Sequence, residues 1–432
     1  MTLKLKNIFH TDKKISKIGD FQELKNIEGL EVSAVSANLY KNERDDLALF
    51  YFPTGSNYAV AYTKNAIVSE SITWNRKNSK NNIKALVVNT KNANTFTGEE
   101  GLSSLDDIAK TIVECLKKYE QENEYDKTKI KDILFASTGV IGEKFPVEKI
   151  KSNIFNLISN LKINQNKIIW LKVASAIMTT DTRPKVAYLE IKLGDKKVKI
   201  AGIAKGSGMI APNLATMFSF IFTDADISSD VLNKYLNKVL PSTFNAITVD
   251  SDTSTNDMVA IFSTKKIKSK KLNIISSKEA LKFEQALKTI CLELSKQVIV
   301  DGEGAKKFIT VKIINSETIH RAKMIAFSIA NSPLIKTAVA GEDPNWGRIL
   351  MGIGKSGEKI DPKRIIIKLG EFVVAENGKI SESYNEEKLK EYMKWDSILI
   401  EVDLKQGHEQ FECYTCDFTH DYIDINAHYR RS

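Results

Sequence analysis

The chain of 432 residues is short of several things, and each shortage closes a class of explanation. Four cysteines in that length do not build a disulfide framework. No apolar run reaches the 18 to 20 residues of a membrane helix. The opening "MTLKLKNIFHTDKKISKIGD" has no apolar core and no small-residue cleavage site, so no signal peptide is expected and the cytoplasm is the expected compartment. Low-complexity linkers and internal repeats are absent. What remains is ordinary for a globular protein, 42% hydrophobic and 27% charged, at a length that makes two or three domains the prior.

The formal net charge of +9 invites a nucleic-acid reading. The lysines, however, are spread along the chain among Asn, Ile and Glu. The densest run, "TKKIKSKK" at 264–271, lacks interleaved aromatics and reads as a solvated loop. No nucleic-acid partner and no membrane partner are expected. A basic surface also attracts anionic substrates. Cys413 and Cys416 form a C-x-x-C with His420 and His428 downstream, a spacing that invites zinc. Yet "QFECYTCDFTHDYIDINAHY" reads as strand, where residues three apart face opposite ways, so no metal is expected.

Strand-like and helical stretches alternate, which predicts a mixed α/β fold. Leu105, Ile108, Ala109, Ile112 and Leu116 mark one helical face, with Cys115 at its border. Ile150, Ile154, Leu157 and Ile158 mark a second, and Phe283, Leu287, Ile290 and Leu294 a third that opens at the capping box Ser276–Glu279. "KVAYLEIKL" and "KKVKIAGIAKG" read as a hairpin. After it, Phe218, Phe220 and Phe222 alternate with Met217, Ser219 and Ile221, the period of a buried strand.

Between hairpin and strand lies "GSGMIAPNLATMFSFIFTDAD", residues 206–226. A phosphate loop would need a helix after its glycines. A plain turn, or a Thr that merely fits a pleat, would explain only part of the stretch. A further reading makes Thr216 a nucleophile. A Thr hydroxyl needs an adjacent base, and an α-amine with a pKa of about 7.7–8.0 can be one. Thr216 gains that amine only if the Ala215–Thr216 bond is cut. Small Ala215 leaves its carbonyl open to the Thr216 hydroxyl, and Gly206, Gly208 and Pro212 suit a tightly bent loop before such a bond.

The same stretch closely resembles the self-cleaving segment of the ornithine acetyltransferase family, also called bifunctional glutamate N-acetyltransferases of arginine biosynthesis. So do, in order, "STGVIGE", "AIMTTDTRPK", "TVDSDTSTND", "DGEGAKK", "NSPLIKTAVAGEDPNWGR" and "TCDFTHDYIDINAHYR", from about residue 30 to the C-terminus. The resemblance implies a layered mixed-sheet α/β fold of N-terminal-nucleophile-like type, cut into an α chain (1–215) and a β chain (216–432) that stay associated and pair into a dimer of αβ units. It implies acetyl transfer from N2-acetylornithine to glutamate through acetyl-Thr216, without a cofactor; whether acetyl-CoA is also a donor is left open. Thr138 and Gly139 carry over as the oxyanion hole, and Thr179 (or Thr180, one place on), Lys205, Glu303, Asn426 and Ser432 as substrate contacts. An amidase of the same type, with water as acceptor, is the alternative that the transferase motifs disfavour. The sequence departs from the pattern in three places. The C-terminal hydroxyl expected at position 431 is Arg431, with Ser432 after it; Lys91 and Ser251 stand where glycine is expected, implying altered loop geometry.

Overall fold

The computed structural model describes residues 23–79, 82–211 and 217–427. Two mixed sheets organise it. The first holds β1 (Glu31–Val35), β2 (Leu47–Tyr62), β3 (Ile83–Asn89), β4 (Ile133–Ser137), β5 (Lys185–Leu193), β6 (Lys196–Lys205), β7 (Phe218–Ala225) and β8 (Met258–Ile267). Its order is β4-β3-β2-β8-β7-β6-β5, with β1 also paired to β2. The second holds β9 (Phe308–Ser316), β10 (Ile366–Leu369), β11 (Phe372–Glu376), β12 (Lys379–Ile380), β13 (Ser397–Asp403) and β14 (Glu409–Cys416), in the order β12-β11-β10-β13-β9-β14.

The first sheet folds over on itself, and the long β2 runs through both halves. The halves meet across an aromatic core in which Phe50 stacks on Phe222 at 5.1 Å and Phe52 on Phe262 at 5.1 Å. Aromatic rings fill such a layer with few side chains and prefer these offset contacts. Outside it, helices Gly98–Glu122 and Val147–Ser159 cover β1–β4, while Ser229–Val239 and Lys278–Val300 cover β5–β8. The layers therefore run helix, sheet, sheet, helix. The expected helical faces are those buried here, and Phe283, Leu287, Ile290 and Leu294 point into one core. The β5–β6 hairpin forms in the expected place.

β7 carries apolar residues on both of its faces. Phe218, Phe220 and Phe222 enter the aromatic layer, while Met217, Ile221 and Ala225 enter the core under the outer helices. Both faces are buried, as in a strand inside layers. β7 pairs parallel to β8, with Phe218 opposite Met258, and antiparallel to β6, with Phe218 opposite Lys205.

Two local expectations need correction. The helix cap is Ser277 and not Ser276: its hydroxyl accepts the Ala280 N–H at 3.0 Å. The C-terminal stretch is strand only to Cys416 and then turns into helix His420–Ala427. The turn is anchored where Asp417 accepts the backbone N–H of Lys306 (2.8 Å) and Lys307 (2.9 Å). Cys413 and Cys416 enter different cores, as opposite faces of β14 require. No helix among the described residues is long and apolar enough to cross a membrane.

Candidate active site

A cavity of about 280 Å³ opens where β4, β6 and the approach to β8 converge. Thr138, Gly139, Thr179, Lys205, Glu303 and Asn426 all line it, together with Thr180, Ser207, Gly208, Met209, Ser254 and Asn256. Six candidates spread from residue 138 to residue 426 thus meet in one place. Ala215, Thr216 and Ser432 lie outside the described residues, as do Pro212 and Arg431.

β4 ends at Ser137 and delivers Thr138 and Gly139 to the rim. Gly139 has φ 137°, and a Cβ there would fall 2.1 Å from the Lys91 carbonyl carbon, so only glycine fits. Opposite, Gly208 lets the backbone approach Glu303 closely, since a Cβ would lie 2.3 Å from its carboxyl group. Glu303 is held by its own N–H on the Ser207 carbonyl (2.8 Å) and accepts Asn426 Nδ2–H at 2.7 Å. Burial pushes the Glu303 carboxyl up, against hydrogen bonds from Thr180 and Asn426. Thr179 and Thr180 both face the cavity: Thr179 Oγ1 accepts from Lys205 Nζ at 3.4 Å, and Thr180 Oγ1 lies 2.7 Å from Ser207 Oγ.

Lys205 is the last residue of β6 and only 2% exposed. Burial lowers its ammonium below the ordinary lysine range, although Asp181 and Asp257 oppose the shift. Beneath it lies a fully buried ion cluster in which Lys185 Nζ donates to Asp181 at 2.5 Å and to Asp301 at 2.6 Å. Asp181 also accepts the N–H of Thr179 (3.0 Å) and of Gly206 (2.6 Å), and Asp301 accepts the N–H of Thr182 (3.0 Å). Burial works against Asp181's charge, yet Lys185, Lys205 and the Gly206 N–H outweigh it and hold the carboxyl down at about 2. Asp301 shares the same ammonium and is pushed up by burial. The cluster ties the loops of Thr179, Lys205 and Glu303 into one rigid base.

The sequence reading missed Asp181, Asp301, Asp257 and Asn256, all of which stood inside quoted motifs. The only available signal was an acid or amide embedded in a motif without helical or strand periodicity. Conversely, "DPNWGR" contributes nothing to the cavity. Its Asn345 caps helix Trp346–Gly354, accepting the Arg348 N–H at 3.1 Å. Lys91 and Ser251 adopt φ 70° and 65°, so both loops keep the left-handed backbone that glycine favours instead of abandoning it.

Fold and cavity define a mixed α/β protein of helix–sheet–sheet–helix layers, with a small, polar, charge-lined pocket sized for a metabolite. The profile of the ArgJ family matches residues 31–431, and the chain belongs to this family, the ornithine acetyltransferases that its motifs resemble. It is 41% identical over 409 residues to the arginine biosynthesis bifunctional protein ArgJ of Gluconobacter oxydans, covering 94% of this chain and 93% of that one. The protein of the same name from Zymomonas mobilis is 40% identical over 410 residues, covering 94% and 96%. Among solved structures, the Bacillus halodurans ArgJ protein is 36% identical with a TM-score of 0.45, over 48% of this chain and 97% of that one. Ornithine acetyltransferase from Mycobacterium tuberculosis, solved with ornithine, is 25% identical with a TM-score of 0.40, over 45% and 99%.

Proposed function

We propose that this chain transfers an acetyl group from N2-acetylornithine to glutamate through an ester on Thr216. The Thr216 hydroxyl first attacks the Ala215 carbonyl, and the Ala215–Thr216 C–N bond breaks to leave an ester and a free Thr216 amine. Water then hydrolyses the ester to release the Ala215 carboxylate and restore the Thr216 hydroxyl. That amine then takes the hydroxyl proton as Thr216 attacks the acetyl carbonyl, and passes it to the departing ornithine nitrogen. The amine of glutamate attacks the ester and restores Thr216. Thr138 and Gly139 stabilise the tetrahedral oxyanion, where one lost donor typically costs about 10²–10³ in rate. Lys205 meets a substrate carboxylate, Glu303 a substrate ammonium or a proton in transit, and Thr179, Asn426 and Ser432 the remaining polar groups.

The observation that carries the reading is the convergence of Thr138, Gly139, Thr179, Lys205, Glu303 and Asn426 on one cavity. The cavity borders the approach to β7: Lys205 lines it and pairs with Phe218, two residues after Thr216. The topology supports a cut enzyme that stays whole. β7 and β8 follow the proposed cut, yet lie between β2 and β6, which precede it. Separating chains 1–215 and 216–432 would require opening the middle of a buried sheet. On the family pattern, two such αβ pairs associate in the cytoplasm, and acetyl-CoA is assayed as a second donor.

Intact-mass measurement of the denatured protein beside Thr216→Ala tests this. Wild type should give two pieces, 1–215 and 216–432, and the variant one uncut mass without transferase activity. A single uncut mass in an active wild type would sink the reading. Acetate release without transfer to glutamate would point to an amidase.

A further inference from the structure

Asn256 and Asp257 are adjacent in sequence, immediately before β8, and they hold opposite sides of the candidate site. Asn256 Nδ2 donates to the carbonyls of Ser137 and Ala93, each at 2.6 Å, and its Oδ1 accepts from Thr95 Oγ1 at 2.9 Å. Ser137 immediately precedes Thr138, so this amide fixes the loop bearing the oxyanion donors. Asp257 Oδ1 accepts the Met217 N–H at 2.7 Å. That N–H belongs to the peptide bond joining Thr216 to Met217. The backbone of the dipeptide is itself pinned: the Thr63 N–H donates to the Asp257 carbonyl at 3.1 Å, and the Met258 N–H to the Met217 carbonyl at 3.1 Å.

Asp257 is completely buried, and its Oδ2 has no hydrogen-bond partner among the described residues. A half-satisfied carboxyl is costly to bury, more so than an apolar side chain of the same size. Burial pushes this carboxyl well above the usual range. A residue tolerated at such cost calls for an explanation, and the bond it does make lies at the peptide next to Thr216.

We propose that Asn256–Asp257 is a positioning clamp that sets the spacing between the oxyanion donors at Thr138–Gly139 and Met217, the residue that follows Thr216 in the chain and leads into β7. This rests on the Thr216 reading above. Neither side chain transfers a proton or forms a bond in the reaction. Acyl transfer needs nucleophile and oxyanion donors in register to a fraction of an ångström, and a displacement of about 1 Å can cost about 10²-fold. A dipeptide whose two side chains grip the two parts is a short, stiff ruler between them.

The test combines kinetics with hydrogen exchange in full-length protein. Asn256→Ala should slow self-cleavage and lower kcat of the cleaved fraction about 10²-fold, with KM changed less than about threefold. Asp257→Ala should act in the same direction, and Asp257→Asn, which keeps an acceptor for Met217, should recover most of that loss. Independently of activity, Asn256→Ala should speed exchange in peptides covering 137–141, and Asp257→Ala in those covering 217–220. Unchanged kcat in folded Asn256→Ala, unchanged exchange at both segments, or Asp257→Asn no better than Asp257→Ala would each overturn the clamp. If wild type itself stays uncut and inactive, the Thr216 reading fails on its own account, and the exchange measurement alone decides whether the clamp exists.

Discussion

The two sheets bury different chemistry. Around β9–β14 the core is Ile309, Val311, Ile313, Ile367, Ile398 and Ile400 packed on helices. There Glu401 sits between Lys312 (3.1 Å) and Lys368 (3.2 Å) near the surface. Lys336, buried nearby, donates to the Thr415 hydroxyl at 2.7 Å and to the Cys416 carbonyl, and no carboxylate among the described residues lies within bonding distance of it. Under the cavity of the first sheet, Lys185 bonds both Asp181 and Asp301, and all three side chains are fully buried. Apolar packing is the cheaper way to stabilise an interior, and ion pairs there return little net stability. The charged base is therefore a mark of the site. It fixes loop positions that hydrophobic packing, being non-directional, would leave loose.

The hardest test of that contrast removes the shared cation. Lys185→Met leaves Asp181 and Asp301 buried without the ammonium they share, with only the more distant Lys205 and the N–H groups of Thr179, Thr182 and Gly206 to offset their charge. Breaking a buried pair in this way typically costs about 3–5 kcal/mol, so urea unfolding should show a loss of that order, or the protein should fail to accumulate in soluble form. The loss should shrink in acid, where both carboxylates can take protons. A variant as stable as wild type at pH 7 would show that the cluster is already neutral and holds nothing in place.

Asp224 on β7 sharpens the comparison from outside the cavity. Burial pushes its carboxyl up to about 6, although Oδ1 accepts the Lys199 N–H at 2.9 Å. Its pKa is thus higher folded than unfolded. The associated stability is complete below about pH 4 and is lost as pH rises through about 6. At pH 7 the ionised group costs about 2–3 kcal/mol, taking 1.36 kcal/mol per unit. Asp224→Asn keeps an acceptor without the charge, so it should raise the unfolding midpoint at pH 7 and leave it nearly unchanged at pH 4. Equal effects at both would show that charge burial is not the cause.

What could be read from the sequence follows the range of the interactions. Helix Gly98–Glu122 was legible from its periodic apolar face, and strand β7 from the alternation of Phe218, Phe220 and Phe222, both patterns local to a few residues. The folding of the first sheet was not, because Phe50 meets Phe222 across 172 positions and no local pattern records that contact. The cavity lining was legible through motifs, down to Thr138, Lys205, Glu303 and Asn426. Its supports were not, because Asp181 is explained only by Lys185, Gly206 and Lys205 together, and Asp257 only by Met217, 40 positions away. Lys91 and Ser251 were visible as departures from glycine. Their retained backbone was not visible, because a side chain can be forced into the left-handed region when the surrounding loop determines it.

The smallest effect belongs to the second sheet. Lys368→Met removes one of the two ammonium groups beside Glu401, whose carboxyl is lowered below its ordinary range: burial opposes its charge, and Lys312 and Lys368 outweigh that. The lysine is about one-third exposed, so water screens the pair, and Lys312 remains to hold the carboxylate. Exposed pairs of this kind are worth about 0.2–1 kcal/mol. Urea unfolding should therefore show a loss of about 0.5 kcal/mol at low salt, smaller still near 1 M, where the screening length falls to about 3 Å. Lys185→Met should keep its penalty at both salt concentrations, because its charges are out of reach of mobile ions. If the two lysine variants lost stability alike, or shared the same salt dependence, burial would not be what separates the two regions. The ion cluster beneath the cavity would then be one more ion pair, with no claim to mark the site.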